Sequence, residues 1–260
     1  NQIDAPYKTG FDRGFWLWEQ YDSNFTYLIV ADVARGDGTD FSVFHVIKLE
    51  TMEVIGEYQG KPSLGDFARL LDNTGKEFGD CLLVVENNSL GISVLEKLQE
   101  MEYSNLYYSV KGTHEYVDAL AAYENNRTVP GFTTSSKTRP LIVAKMEEFV
   151  RNKLITIYSP RVISEFKTFV WQNNRPQAMR SYHDDLVIAL AIGCWVKDTA
   201  LTINQKDVNY QRAQLSSMFI AHKQMKTTIS GMEGHKRKGF SDDTLNLKKD
   251  YNNFVWLIKG

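Results

Sequence analysis

Two scarcities bound this sequence before any motif is considered. Only two cysteines, Cys81 and Cys194, occur among 260 residues, each within or beside an apolar run and without C-x-x-C spacing. That excludes a disulfide framework and a zinc cluster, and leaves buried free thiols in a reducing compartment as the expectation. No apolar run approaches the ~18 residues of a membrane span, and no signal-peptide pattern opens the chain, so no membrane partner is expected. Charge of either sign is also lacking in excess: the formal net charge is −2. A nucleic-acid surface would therefore have to be a local patch rather than a property of the whole molecule. No internal repeat or low-complexity block is present.

What remains is a globular composition, with 43% hydrophobic and 12% aromatic residues, long enough to bury its own core. Residues 1–25 are aromatic and mixed, and are expected to pack on the domain. Tyr27–Val33, Phe41–Leu49 and Thr51–Tyr58 are rich in Val, Ile and Phe and read as three consecutive antiparallel strands. Ser63 caps a helix with apolar positions Leu64, Phe67, Ala68, Leu70 and Leu71. Asp80–Glu86 is continuously apolar between its acids, as a strand buried on both faces would be. Helix Ile92–Met101 and a strand at Leu106–Val110 follow. A loop-rich insert with room for a hairpin occupies about 111–139. Beyond it come a helix over Leu141–Asn152, a strand over Leu154–Tyr158, a helix over Pro160–Phe169, a turn at Asn173–Ala178 and a strongly apolar helix over Asp185–Val196. The fold class is α/β: a mixed sheet of three antiparallel strands then parallel strands, flanked by helices. Residues 1–200 form the main domain. Residues 201–260 form a C-terminal helical and tail extension, with a helix at Val208–Met225 and a polar stretch at 229–250.

Three carboxylates fall at the ends of apolar elements: Asp32 on the first strand, Glu86 ending the central one, and Asp184 or Asp185 opening the late helix. Singly, such acids are usually structural, and one that opens a helix also caps free N–H groups and suits the helix dipole. In a sheet ordered as above, however, Asp32 and Glu86 become neighbours and the helix start can meet both. Gathered carboxylates repel. Hard divalent cations relieve that repulsion, and oxygen ligands suit Mg²⁺ or Mn²⁺. Two such ions ~4 Å apart form the clamp for phosphodiester hydrolysis.

The order of a hairpin aspartate, a central-strand glutamate and a helix-opening aspartate resembles the ribonuclease H-like nuclease and integrase superfamily. More narrowly, Asp32-Val-Ala-Arg-Gly-Asp-Gly-Thr-Asp40, Val85-Glu-Asn-Asn88 and His183-Asp-Asp-Leu-Val-Ile-Ala-Leu-Ala191 are similar to the nuclease domain of the large terminases of tailed phages, and to the T-even type above all. The resemblance runs from Tyr27 to Trp195. It implies Asp32, Glu86 and Asp185 as catalytic metal ligands, with Asp184 as the alternative to Asp185 and Asp40 as an accessory ligand. It implies Mg²⁺ or Mn²⁺, two ions, and an endonuclease that cuts concatemeric double-stranded DNA with little sequence preference during viral genome packaging in the host cytoplasm. It further implies an ATPase motor domain in the same polypeptide, a portal and a small terminase subunit. G-x-x-x-x-G-K-[ST] is absent; Asn73-Thr-Gly-Lys76 lacks the upstream Gly and the following Ser/Thr. With Asn at position 1, the chain is expected to be the C-terminal nuclease half of a longer protein.

Arg35 in the hairpin loop and His183 could reach a phosphate; a solvated loop charge and a hydrogen-bonded structural histidine are the alternatives. Asn87, Asn88 and Ser89 either orient Glu86 or cap the next helix. From Lys137 to Arg180, including Arg139, nine basic residues face three acids, which suits a phosphate-tracking surface. Two other functions fit the same pattern: a Holliday-junction resolvase or transposase-like strand transferase, and a non-catalytic DNA-binding or docking domain. Preference for branched DNA favours the first, and absence of metal binding the second.

Overall fold

A computed structural model describes residues 5–10, 12–34, 40–88, 90–110, 116–117, 128–172 and 175–198. The extension at 201–260, Arg35, Ser89 and most of the 111–139 insert lie outside the described residues. In chain order the strands and helices are β1 (Lys8–Gly10), β2 (Phe15–Leu17), β3 (Tyr27–Asp32), β4 (Ser42–Lys48), β5 (Glu53–Gly60), α1 (Leu64–Glu77), β6 (Leu82–Val85), α2 (Gly91–Glu100), β7 (Tyr108–Val110), β8 (Tyr116–Val117) and β9 (Thr128–Pro130). They continue as α3 (Thr138–Arg151), β10 (Thr156–Ile157), α4 (Pro160–Thr168), β11 (Phe169–Gln172), β12 (Arg175–Ala178) and α5 (185–198).

Seven strands form one mixed sheet in the order β1-β2-β5-β4-β3-β6, with β10 on β5. β3, β4 and β5 are antiparallel neighbours, and β6 runs parallel to β3. Side-chain alternation then assigns two layers. Leu28, Val30 and Val84 face α3, α4 and α5, whereas Tyr27, Ile29, Ala31, Leu83 and Val85 face α1 and α2. Period 2 in β3 therefore puts Asp32 on the α5 side, and period 2 in β6 puts Glu86 there too.

The aromatic N-terminal segment does more than pack. β2 joins the sheet antiparallel to β5, with Phe15 opposite Tyr58 and Leu17 opposite Gly56. Phe15 and Leu17 enter the core, while the Arg161 guanidinium stacks 3.6 Å from the Trp16 ring centre. β10 pairs parallel with the other end of β5, through Thr156 and Ile157 opposite Glu53 and Val54. A smaller sheet, β8-β7-β9, takes β7 from just before the expected insert and β8 and β9 from within it. Positions 173 and 174 of the expected turn lie outside the described residues, and Arg175–Ala178 are instead the second strand of a ribbon, β11–β12, that among the described residues pairs only with itself. Short self-paired strands carry no long apolar run, so composition alone showed a turn.

α1 starts as expected, with Ser63 Oγ accepting from the Asp66 amide at 3.1 Å. α5 is buried along its described length from Leu186 to Ile192. Gly193 lets it lie close to the sheet: a Cβ there would sit 2.8 Å from Ile47 Cδ1 and 3.2 Å from Val30 Cγ2. Gly193→Val should thus overpack this contact and lower stability by about 1–3 kcal/mol, measured by urea denaturation. Gly193→Ala should cost less, because one methyl displaces only the flexible end of Ile47 and alanine favours the helix by up to about 1 kcal/mol.

Candidate functional site

The register of β3 against β6 pairs Ala31 with Val85, and the Glu86 amide donates to the Ala31 carbonyl at 2.9 Å. The next residue on each strand is the acid, so Asp32 and Glu86 stand side by side. Glu86 is buried and Asp32 partly so. Burial pushes the Asp32 carboxyl well above the usual carboxylate range; the charge of Glu86, a side-chain hydrogen bond to it and the charge of Asp185 push the same way. Two carboxyls can hydrogen-bond only by sharing a proton.

Asn88 serves both expected roles. Its Nδ2 donates to Glu86 Oε2 at 3.3 Å, and its Oδ1 accepts from the Leu90 and Gly91 amides at 3.2 and 2.9 Å. Gly91 is required here, because a Cβ would lie 1.8 Å from the Glu86 carbonyl oxygen.

The two aspartates at the start of α5 part ways. Asp184 pairs with Arg139 and accepts from the Ala178 amide at 3.0 Å. Asp185 turns toward the sheet and accepts from the Phe41 amide at 3.0 Å through Oδ2. Burial, then the charges of Asp40 and Asp184, raise the Asp185 carboxyl to about 6, against the Phe41 hydrogen bond and His183. Exposed Asp40 and half-buried His183 complete the group: His183 Nδ1 is 3.5 Å from Asp40 Oδ1 and 3.9 Å from Asp185 Oδ2. One ligand atom from each of Asp40, His183 and Asp185 lies within 4.8 Å of the others, a spacing that fits a divalent ion.

Sequence reasoning missed the supports of α5. The Leu186 carbonyl accepts from His45 Nε2 at 2.9 Å, so that nitrogen carries the hydrogen. The Val187 amide donates to Glu165 Oε2 at 3.0 Å. The Leu186–Val187 peptide plane, one residue beyond Asp185, is thus gripped at its oxygen by β4 and at its hydrogen by α4. Both side chains are buried. Burial raises the Glu165 carboxyl to about 8, reinforced by the charges of Asp185, Glu57 and Asp184 and opposed by the Val187 hydrogen bond. Glu165 sits among apolar helix positions, where a lone acid reads as solvated; its only sequence signal was its place on an otherwise buried helix face. A cleft of about 370 Å³ opens between Glu165, Gln59, Tyr182 and His183.

The basic stretch is thinner than its count. Arg139 donates to the Pro176 carbonyl as well as pairing with Asp184, and Arg161 donates to buried Glu57 at 2.7 Å. Lys145 and Arg151 pair with acids along α3. Lys137, Lys153, Lys167, Arg175 and Arg180 stand exposed.

No family model matches the sequence. Among solved structures, the large terminase nuclease from thermophilic phage G20c with bound magnesium is similar at 18% identity and a TM-score of 0.57, covering 74% of this chain and 92% of that one. Its cobalt-bound form gives the same values. The large terminase nuclease domain of Thermus phage P74-26 is similar at 17% identity and a TM-score of 0.54, over 73% of this chain and 88% of that one. The mixed sheet and its flanking helices are the fold of these nucleases.

Removing the Glu165 carboxyl should leave the Val187 amide buried without an acceptor. Glu165→Ala is expected to lower stability by about 1–3 kcal/mol in chemical denaturation, whereas Glu165→Gln, which keeps an acceptor oxygen, should lie within about 1 kcal/mol of the parent. A second expectation concerns pH. Asp32, Asp185 and Glu165 all have raised carboxyl pKa values, so the folded state holds protons that the unfolded state releases. The stability they contribute is full below about pH 4, where both states are protonated, and falls as pH rises through about 6 and 8. Melting in EDTA should show this decline, and Mn²⁺ should reduce it by binding the ionised form.

Proposed function

We propose that this chain is a divalent-metal-dependent DNA endonuclease, the nuclease domain of a viral large terminase of the T-even type, with residues 1–200 as its catalytic domain. Two observations carry this: Asp32 and Glu86 stand side by side at one end of the parallel β3–β6 pair within reach of the charge of Asp185, and Asp185, His183 and Asp40 offer ligand atoms within 4.8 Å of one another, in a fold like that of large terminase nucleases, some of which hold magnesium or cobalt.

In this reading Asp32 and Glu86, with Asp185, would hold one cation, and Asp185, His183 and Asp40 would hold a second. Such ions would supply activation of the attacking water and stabilisation of the leaving 3′-oxygen. Asp185 is common to both sets. Asn88 orients Glu86, and the Phe41 amide orients Asp185. The raised carboxyl pKa values support cation binding, since a site that resists a third charge without a counter-ion accepts it with one. The cleft beside His183 leaves room for the strand being cut. Exposed Lys137 and Arg180 contact phosphates on either side, which gives affinity without sequence preference. The substrate is concatemeric double-stranded DNA in the host cytoplasm, delivered by an ATPase motor of the same polypeptide working with a portal and a small terminase subunit.

Plasmid cleavage in Mg²⁺ or Mn²⁺ tests the reading. Asp32→Asn and Glu86→Gln should each cut at least about 100-fold more slowly than the parent, the usual scale for losing a group that stabilises transition-state charge. Asp184→Asn should be milder. Parental rates in Asp32→Asn would refute the assignment.

A further inference from the structure

The ribbon β11–β12 is a sheet of its own beside the main one, and it is built into the edge of the site. At its base the Ala178 amide donates to Asp184 at 3.0 Å, Arg139 Nε donates to the Pro176 carbonyl at 2.9 Å, and the Met179 amide donates to the Thr168 carbonyl at 2.8 Å. The base is therefore fastened to the residue immediately before Asp185.

Strand alternation separates its two faces. Phe169 and Trp171 share one face with Pro176 and Ala178; Gln172, Arg175 and Gln177 lie on the other. Phe169 packs against the core, but Trp171, two residues on, is 56% exposed. An indole left in water on a self-paired ribbon contributes little to folding and offers a large flat surface to a partner.

The charge around it is of one sign. Between Phe166 and His183 the sequence contains Lys167, Arg175 and Arg180 and no acid. All three are exposed, and none forms an ion pair among the described residues. Trp171 on one face, Arg175 on the other, and Lys167 and Arg180 just beyond the two strands make one projection with an aromatic ring and unopposed cations, which matches a polyanion that carries rings. Two-stranded ribbons also fit a DNA groove.

We propose that β11–β12 is a DNA-contacting ribbon, with Trp171 meeting bases or sugars and Lys167, Arg175 and Arg180 meeting phosphates beside the scissile one. The inference rests on the nuclease reading for the identity of its partner. Trp171 lies ~7 Å along the strand from Phe169 at the base, about two base-pair steps of a duplex. The ribbon thus holds the duplex next to the acids and sets where along the groove the cut falls.

The test is binding of the full chain to a fluorescein-labelled 30-base-pair duplex in EDTA, where cutting does not interfere, followed by anisotropy across a salt series. Trp171→Ala should weaken binding about 5- to 100-fold, the range for losing one aromatic contact, and Trp171→Phe should restore most of it. Arg175→Ala/Arg180→Ala, both at exposed positions, should lower the salt slope by about 2. Unchanged melting temperatures confirm that the variants fold. Parental affinity in Trp171→Ala together with a parental salt slope in the double variant overturns the proposal and leaves the ribbon to a protein partner. Failure of the parent to cut plasmid while these variants still lose affinity would instead sink the nuclease reading and keep the DNA contact.

Discussion

Like charges brought together are the constraint that the structure answers. Asp32, Glu86 and Asp185 come from three elements, and the charge of each raises the cost of ionising its neighbours. The parallel register of β3 and β6 makes the first pair unavoidable once the strands are packed, because Val30, Val84 and their neighbours fix that register through the core. The third acid is added by a helix start, where free N–H groups and the dipole favour a carboxylate. The repulsion is then contained by hydrogen-bond donors, the Phe41 backbone amide for Asp185 and the Asn88 side-chain amide for Glu86.

Much of that was legible from residues alone. β3, β4 and β6 were visible because their apolar runs are long and β-branched, and the acids that end them could be named without coordinates. Which aspartate of the 184–185 pair faces the sheet was not legible. Adjacent helix residues differ by about 100° in direction, and the deciding contact for Asp184 is Arg139, distant in sequence. Glu165 and His45 were missed for a related reason. Each is a single polar residue inside an apolar pattern, and its partner is a backbone group of another element. β1 and β2 escaped because three-residue strands show no periodicity.

Charge counts behave similarly. Nine basic residues from Lys137 to Arg180 suggested a broad cationic face, but Arg139 and Arg161 are turned inward as cross-links between elements. Both are arginines, whose planar guanidinium carries several donors that can bind a carboxylate and a carbonyl at once, and Lys145 adds a link from α3 to Asp198 of α5. Lys137, Lys153 and Lys167 remain outside. What is left for a polyanion is concentrated near the ends of α3 and on the β11–β12 ribbon.

The gripped peptide plane after Asp185 makes the centre observable at an atom that takes no part in chemistry. The Val187 amide hydrogen is held by the Glu165 carboxyl, which burial pushes up to about 8 and the charge of Asp185 pushes further the same way. Its nitrogen and proton resonances therefore register the ionisation of Glu165, and through it the charge collected at the acids, in a single cross-peak from the interior of the fold. An occupied centre and a protonated one become distinguishable by spectroscopy on the intact chain, without DNA and without turnover.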